Sequence, residues 1–124
     1  MKRILIDTNF LLIPIQFKVD IFSEIERICP FAYRLFVIDK TIDELKGIIS
    51  KQGGKSKEAA RVALQLIDKK GVAIVKTSEG KVDDLLLEQL GKDTILATQD
   101  ELLRKRAAGS KFIVLRSKRY LVLK

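Results

Sequence analysis

The opening of the chain constrains the fold more than any other stretch. Residues 4–6 are the aliphatic run Ile-Leu-Ile, which ends abruptly in the polar residues 7–9. Such a run is typical of a strand buried on both faces of a parallel sheet. Ligands of open α/β sheets bind at the carboxyl ends of the strands, so the pattern places Asp7 at the edge where a functional site is expected. A second run, Thr94 to Thr98, delivers Asp100 to the same edge.

The rest of the chain alternates between strand and helix patterns. This alternation predicts a three-layer α/β/α sandwich with a mainly parallel central sheet. The 124 residues contain no repeat and no linker, so we expect one domain over residues 1–124. We predict further strands over residues 34–38, 72–75 and 112–115, and an edge strand or docked tail over residues 120–123. We predict helices from Asp20 to Pro30, from Asp39 to Ser50, from Ser56 to Gly71, from Val82 to Gly91, and from Asp100 to Gly109.

Two stretches interrupt this alternation. Pro14 forbids an uninterrupted helix in the apolar segment from Phe10 to Phe17, which predicts a short helical turn and then a loop. The glycines of residues 51–57 predict a flexible basic loop. Beside Pro14, a group of apolar side chains is expected to form an exposed patch that could serve a homodimer: Phe17, Val19 and Phe22.

Composition excludes many kinds of chemistry. The chain has no histidine, which removes Ser-His-Asp and Cys-His nucleophiles, zinc-protease motifs and zinc fingers. Cys29 is the only cysteine, and no run reaches the roughly 20 apolar residues of a membrane span, so we expect a cytoplasmic protein. The net charge is +8, and residues 101–124 carry eight Lys or Arg against Glu101 alone. This surplus favours a polyanionic partner such as a nucleic acid.

Four acidic positions stand at strand ends or helix starts: Asp7, Glu44, Asp83 with its neighbour Asp84, and Asp100. Each has a purely structural interpretation, because Asp7 and Asp100 could be N-caps. Glu44 follows Thr41 at a capping-box spacing, and the Asp pair suits the first turn of a helix. Together, however, an α/β topology brings them to one edge. Their mutual repulsion there favours a bound divalent cation, and an all-oxygen ligand set selects Mg²⁺ or Mn²⁺ rather than zinc.

These residues resemble the motifs of the PIN-domain nucleases, and the resemblance covers nearly the whole chain. The matching segments are Ile6–Asn9, Thr41–Leu45, Val82–Leu86 and Ala97–Asp100. The resemblance implies a single-strand endoribonuclease that uses Mg²⁺ or Mn²⁺. It implies catalytic and metal-binding roles for Asp7, Glu44, Asp83 and Asp100, and accessory roles for Asn9 and Thr98. The Asp83–Asp84 pair leaves open which of the two faces the metal, and Asp83 is favoured by its spacing to Leu85 and Leu86.

The segment from Thr98 to Arg104, with Arg119 and Tyr120, is similar to the branch that contains ribosomal-RNA processing nucleases. The toxin branch is also a single short domain. These alternatives imply a ribosome-assembly partner or an antitoxin, respectively. We expect RNA phosphates to contact the basic residues near the carboxyl terminus: Arg104, Lys105, Arg106, Arg116, Lys118 and Arg119.

The same sequence features are compatible with two other functions. One is an inactive RNA-binding scaffold of the same fold. The other is a phosphoryl-accepting receiver domain, which also clusters acidic side chains at strand ends. A receiver needs its phosphoacceptor Asp at the end of a central strand, and Asp39 matches that requirement poorly.

Overall fold

The computed structural model describes residues 1–124 and has six strands and seven helices. The strands are β1 (Lys2–Ile6), β2 (Tyr33–Ile38), β3 (Ala73–Val75), β4 (Thr94–Ala97), β5 (Lys111–Arg116) and β6 (Tyr120–Leu123). The helices are α1 (Thr8–Leu11), α2 (Ile13–Phe17), α3 (Ile21–Ile28), α4 (Asp39–Lys51), α5 (Gly54–Lys69), α6 (Val82–Glu88) and α7 (Glu101–Arg106). None of the helices combines the length and the apolar character that a membrane span needs.

The strands form one sheet in the order β3-β2-β1-β4-β5-β6. All neighbours are parallel except β5 and β6, which pair antiparallel. Residues 120–123 are therefore an edge strand rather than a docked tail. The predicted α/β class with a mainly parallel sheet is confirmed.

Successive side chains of a strand point to opposite faces of the sheet, and both faces are covered by helices. Ile4 and Ile6 of β1 belong to a cluster of 20 buried residues that includes side chains of α1 to α5. Leu5 lies on the other face, in a cluster of six that includes Leu86 of α6 and Leu103 of α7. The protein therefore has three layers, with the larger part of its core on the α1–α5 side.

The predicted flexible loop at residues 51–57 is wrong. Helix α4 continues through Lys51 and α5 begins at Gly54, so only Gln52 and Gly53 separate two helices that pack on each other. Gly54 has φ +59°, which a glycine adopts without steric cost. The two glycines thus make a tight corner between helices.

The structure also corrects both predictions for the segment around Pro14. Residues 13–17 form the short helix α2, and Pro14 lies in its first turn, where the missing N–H has no intrahelical partner to lose. Val19 and Phe22 are buried in the larger core cluster, and Phe17 packs against it. These three side chains therefore do not form an exposed patch.

Candidate active site

Asp7 follows β1, the strand at which the order of strand addition to the sheet changes from one side to the other. From β1 the chain moves to β2 and β3 on one side, and it then returns to place β4 on the other side of β1. Ile6 is in register with Ala97, so the loops that follow β1 and β4 leave the sheet side by side. A crevice opens outside the carboxyl ends of the strands at such a switch point, which is where ligands of open α/β sheets bind.

The Asp7 side chain is buried and held by two hydrogen bonds. It is 6% exposed. Oδ1 accepts a hydrogen bond from the Thr8 backbone N at 2.7 Å, and Oδ2 accepts one from Thr98 Oγ1 at 2.7 Å. Burial raises the pKa of Asp7, the bonds from Thr98 and Thr8 oppose that rise, and the nearby charges of Asp83 and Glu44 add to it. The protein therefore positions this carboxylate at an electrostatic cost.

Four of the predicted acidic side chains line one cleft. Asp7, Glu44, Asp83 and Asp100 border a space of about 270 Å³ at the carboxyl edge of the sheet. They come from four places in the chain: the end of β1, the interior of α4, the first turn of α6 and the loop after β4. Topology brings these places together, because the strands that precede them are parallel and lie side by side in the order β3-β2-β1-β4.

Glu44 is joined to the Asp7 loop through Thr8. The Thr8 hydroxyl donates a short hydrogen bond to Glu44 Oε1 and lies 3.2 Å from the hydroxyl of Thr41. Helix α4 begins at Asp39, so Thr41 is inside the helix and Glu44 is not part of a capping box. Thr8 and Thr41 were not among the predicted site residues. The only signal for them was their place within the two acidic motifs.

Asp7 and Asp100 serve as helix caps while they line the cleft. Asp7 is the N-cap of α1, and Asp100 Oδ1 accepts a hydrogen bond from Leu103 N at 3.1 Å at the start of α7. Capping uses one oxygen of Asp100 and leaves its second oxygen without a hydrogen-bond partner. Asp100 can therefore cap α7 and still offer an oxygen to a ligand in the cleft.

Asn9 and Thr98 link the loops after β1 and β4. Gln99 N donates to Asn9 Oδ1 at 3.3 Å, and Gln99 Nε2 donates to the Asn9 carbonyl at 3.0 Å. The Thr98 hydroxyl donates to Asp7 and accepts from Asp100 N at 3.0 Å. One hydroxyl thus connects two acidic residues of the cleft. Gln99 was not singled out from the sequence, because its role depends on the spatial pairing of the two loops.

Comparison with known proteins shows the family of this chain. A family model described as a PIN like domain matches residues 4–118. The chain belongs to the PIN-like domain family. Its curated relatives include ribonuclease VapC4 of Methanocaldococcus jannaschii, which is 27% identical over 97% of this chain and 95% of the relative.

Two solved structures share the PIN-like fold of this chain. The PIN domain endonuclease Utp24 superposes with a TM-score of 0.79 at 19% identity, over 98% of this chain and 90% of the other. A domain of a functionally unknown protein from Methanocaldococcus jannaschii superposes with a TM-score of 0.59 at 17% identity, over 94% and 93% of the two chains. At these identities the likeness establishes the fold.

The strand order of this PIN-like domain excludes the receiver alternative. Receiver-type doubly wound sheets have the order 2-1-3-4-5, whereas β1 lies here between β2 and β4. Asp39 has a structural partner instead: its carboxylate accepts hydrogen bonds from the Thr77 backbone N and hydroxyl, which bind the loop after β3 to the start of α4.

The two members of the Asp83–Asp84 pair have different surroundings. Asp83 lines the cleft and contributes to the raised pKa of Asp7. Asp84 Oδ1 accepts a hydrogen bond from Arg106 Nη2 at 2.6 Å, and both side chains are about half exposed. The ion pair joins α6 to α7 and takes up the charge of Asp84 outside the cleft.

Substitutions in this pair should therefore have unequal effects. We expect Asp83→Asn to reduce the rise in melting temperature produced by Mn²⁺, because a carboxylate of the cleft is lost and binding to the native state stabilises it. Asp84→Asn should leave that rise intact, since exposed ion pairs contribute little. Thermal melts of both variants, with chelator and with Mn²⁺, measure the difference. Equal metal effects in the two variants would contradict this assignment.

The donor atoms of the PIN-like cleft fit a hard divalent cation. The side chains that line it offer carboxylate, hydroxyl and amide oxygens as possible metal ligands, and no thiolate or imidazole. Oxygen ligands suit Mg²⁺ and Mn²⁺. No three acidic side chains are close enough together to hold one ion between them. An ion held here by one or two carboxylates would complete its coordination with water. Among the side chains of the cleft, Asp7 is the most buried, and it forms no ion pair.

The predicted RNA-binding cations fall into two groups. On α7, Arg106 is paired with Asp84, and Arg104 has a buried Nε without a hydrogen-bond partner, so Lys105 is the freely exposed cation. The others lie at or beside the turn between β5 and β6 and are exposed: Arg116, Lys118 and Arg119. Since β5 is parallel to β4, this turn lies at the same edge of the sheet as the cleft.

Proposed function

We propose that this protein is a Mg²⁺- or Mn²⁺-dependent endoribonuclease that hydrolyses phosphodiester bonds in single-stranded RNA. One observation carries the proposal: four acidic side chains from distant parts of the chain line a single cleft around a buried Asp7. Membership of the PIN-like family and the similarity to ribonuclease VapC4 support it. The absence of histidine leaves carboxylates and a metal ion as the agents of hydrolysis.

In this proposal each side chain has a defined task. Asp7 and Asp100 would hold the ion, and Glu44 and Asp83 would complete its environment or accept a proton from the attacking water. A bound Mg²⁺ or Mn²⁺ ion lowers the pKa of water and stabilises negative charge on a phosphoryl oxygen. Thr98 orients the Asp7 carboxylate, and Asn9 fixes the loop that carries Asp100. The exposed cations of the β5–β6 turn contact the phosphates of the substrate.

We expect cleavage of a labelled single-stranded RNA in Mn²⁺ or Mg²⁺, its loss with excess chelator, and its return when metal is restored. The physical reason is that carboxylates without a cation would repel the phosphate they must act on. A single-stranded DNA of the same sequence is the matched control for substrate class. Gel electrophoresis of the products measures cleavage in each of these reactions. RNA cleavage that chelator does not diminish would rule out the metal-dependent mechanism.

RNA binding without cleavage in either metal would instead identify an inactive RNA-binding scaffold. For the active enzyme, the proposed settings are a toxin that an antitoxin restrains, or a cytoplasmic nuclease of ribosomal-RNA processing with an assembly partner. Both settings share the same cleft chemistry.

A further inference from the structure

Unusual backbone conformations gather at one place outside the acidic cleft. Only three residues other than glycine have positive φ: Lys18 (57°), Ser117 (55°) and Lys118 (54°). Lys18 directly follows Phe17, and the Lys118 ammonium lies 5.9 Å from the centre of the Phe17 ring. Two of the three are therefore next to one aromatic side chain, Lys18 along the chain and Lys118 across space, and Ser117 precedes Lys118. Such conformations are unfavourable for residues with a side chain, and they concentrate at functional sites.

The turn between β5 and β6 places lysine where glycine is usual. Ser117 and Lys118 are its two central residues, and Arg119 N donates to the Arg116 carbonyl at 3.1 Å. Positive φ at both central positions defines a type I′ turn, for which Asn-Gly is the preferred sequence. The chain instead keeps a cation at the tip of this turn, at the edge of the sheet that carries Asp7.

A second basic element, the first turn of α5, lies beside Phe17. Lys55 Nζ, from the first turn of α5, lies 3.4 Å from the Gln16 carbonyl. With Gln16, Phe17 and Ser56 it lines an open cleft of about 360 Å³. Neither Lys18, Lys55 nor Lys118 forms an ion pair, so all three charges are available to a ligand. We refer to Lys18, Lys55 and Lys118 around Phe17 as the Phe17 patch.

A groove leads from the acidic cleft along α4 to the helix corner that precedes Lys55. The acidic cleft shares Thr8 and Glu44 with a neighbouring groove of about 450 Å³, which runs along α4 past Gly47 to Lys51 and Gln52. The helix corner that follows brings the chain to Lys55. The charge along this path changes from the carboxylates of the cleft to unpaired lysines at its far end.

We propose that the Phe17 patch binds the phosphates of single-stranded RNA that leaves the acidic cleft along α4. The acidic cleft repels the phosphodiester backbone except where a cation is bound, so the affinity for the rest of the strand has to come from cations outside it. The patch offers three such cations, all of them exposed. This inference rests on the proposed function for the identity of the ligand, but it concerns binding and not cleavage.

The test compares two double variants that lose equal charge. Lys55→Gln with Lys118→Gln removes two cations of the patch. Lys92→Gln with Lys111→Gln removes two lysines at the opposite edge of the sheet, where both border a separate cavity. Binding of a single-stranded RNA of about 16 nucleotides and one of about 4 is measured over a range of salt concentrations, with chelator to prevent cleavage.

For the longer RNA, the patch variant should lose up to about 1.4 units of the slope of log K against log salt, at roughly 0.7 per contact. The control variant should keep the slope of the wild type, and the shorter RNA should respond weakly to either change. Equal slopes in the two variants, or an unchanged slope in the patch variant, would overturn the proposal.

A second comparison separates a binding role from a structural one. Ser117→Asn alone should raise the melting temperature and keep RNA affinity, whereas Ser117→Asn with Lys118→Gly should raise it further and weaken RNA binding. Unweakened binding in the double variant would show that Lys118 does not contact RNA. The cleavage assay is independent of both comparisons. Normal cleavage together with unchanged RNA binding in the patch variants would refute only this inference. RNA binding that depends on the patch, without any cleavage, would refute only the proposed nuclease activity.

Discussion

Replacing Asp7 by Asn should reduce RNA cleavage by at least about 10²-fold and raise the stability of the metal-free protein at neutral pH. A bound ion activates water and stabilises the charge of the phosphoryl oxygen, which together contribute several kcal/mol to catalysis. Each 1.4 kcal/mol is about tenfold in rate. Asp7 is the most buried acidic side chain of the cleft, so its loss should weaken metal binding most. Cleavage rates at saturating Mn²⁺ and the rise in melting temperature with added Mn²⁺ measure the two effects.

The sign of the stability change follows from the pKa of Asp7. Burial raises this pKa above the ordinary value of 3.8, so the folded protein binds more protons than the unfolded chain between 3.8 and the folded-state pKa. Wild-type stability therefore falls as pH rises through that window and stays lower above it. Asn cannot ionise and caps a helix about as well as Asp. Its Nδ2 can donate to Thr98 Oγ1 at the position where Oδ2 of Asp7 accepts from it. The gain in melting temperature should be present at pH 7 and should fade as the pH falls toward 3.8.

Asp20→Asn is the matched control for this prediction. Asp20 is also an N-cap, of α3, and accepts hydrogen bonds from Ser23 N and Oγ outside the cleft. These hydrogen bonds lower the pKa of Asp20, so its charged form is favoured in the folded state. Its replacement should give no gain in stability at neutral pH, no change in cleavage and no loss of the Mn²⁺ effect. Identical behaviour of the two variants would show that Asp7 is only a helix cap.

The convergence of acidic side chains was predictable because it depends on strand ends. Aliphatic runs ending in Asp mark the carboxyl ends of parallel strands, and such ends meet at one edge of a sheet. Asp7 and Asp100 could therefore be placed together without any knowledge of side-chain positions. Glu44 and Asp83 were expected at the same edge because they lie near the starts of helices in the α/β alternation, and the structure places both in the same cleft.

Contacts that depend on tertiary packing were not predictable. The ion pair of Asp84 with Arg106 spans 22 residues, and nothing local to α6 indicates it. The hydrogen bonds of Gln99 to Asn9 require the exact approach of two loops 90 residues apart. The Gly-Gly pair at residues 53 and 54 suits a flexible loop and a tight helix corner equally well, and packing between α4 and α5 decides for the corner.

The Thr98→Val variant should show that a residue without charge controls the acidic cleft. Valine has the shape of threonine but lacks the hydroxyl that donates to Asp7 Oδ2 and accepts from Asp100 N. Thr98 is fully buried, so water cannot readily replace these bonds. We expect a loss of about 1–3 kcal/mol in the free energy of unfolding, which is the cost of leaving buried polar groups without partners. Cleavage should fall about 10- to 100-fold, as for residues that orient metal ligands.

A change in pH dependence separates this positioning role from simple destabilisation. The hydrogen bond from Thr98 opposes the raised pKa of Asp7, so its removal should raise that pKa further. A carboxylate must lose its proton to bind metal, and the acidic limb of the cleavage profile should therefore move to higher pH. Thr98→Ser keeps the hydroxyl and should retain the wild-type profile, even where the missing methyl group lowers stability. If both variants lose stability but have the same pH dependence of cleavage, the Thr98 hydroxyl stabilises the fold and does not act through the pKa of Asp7.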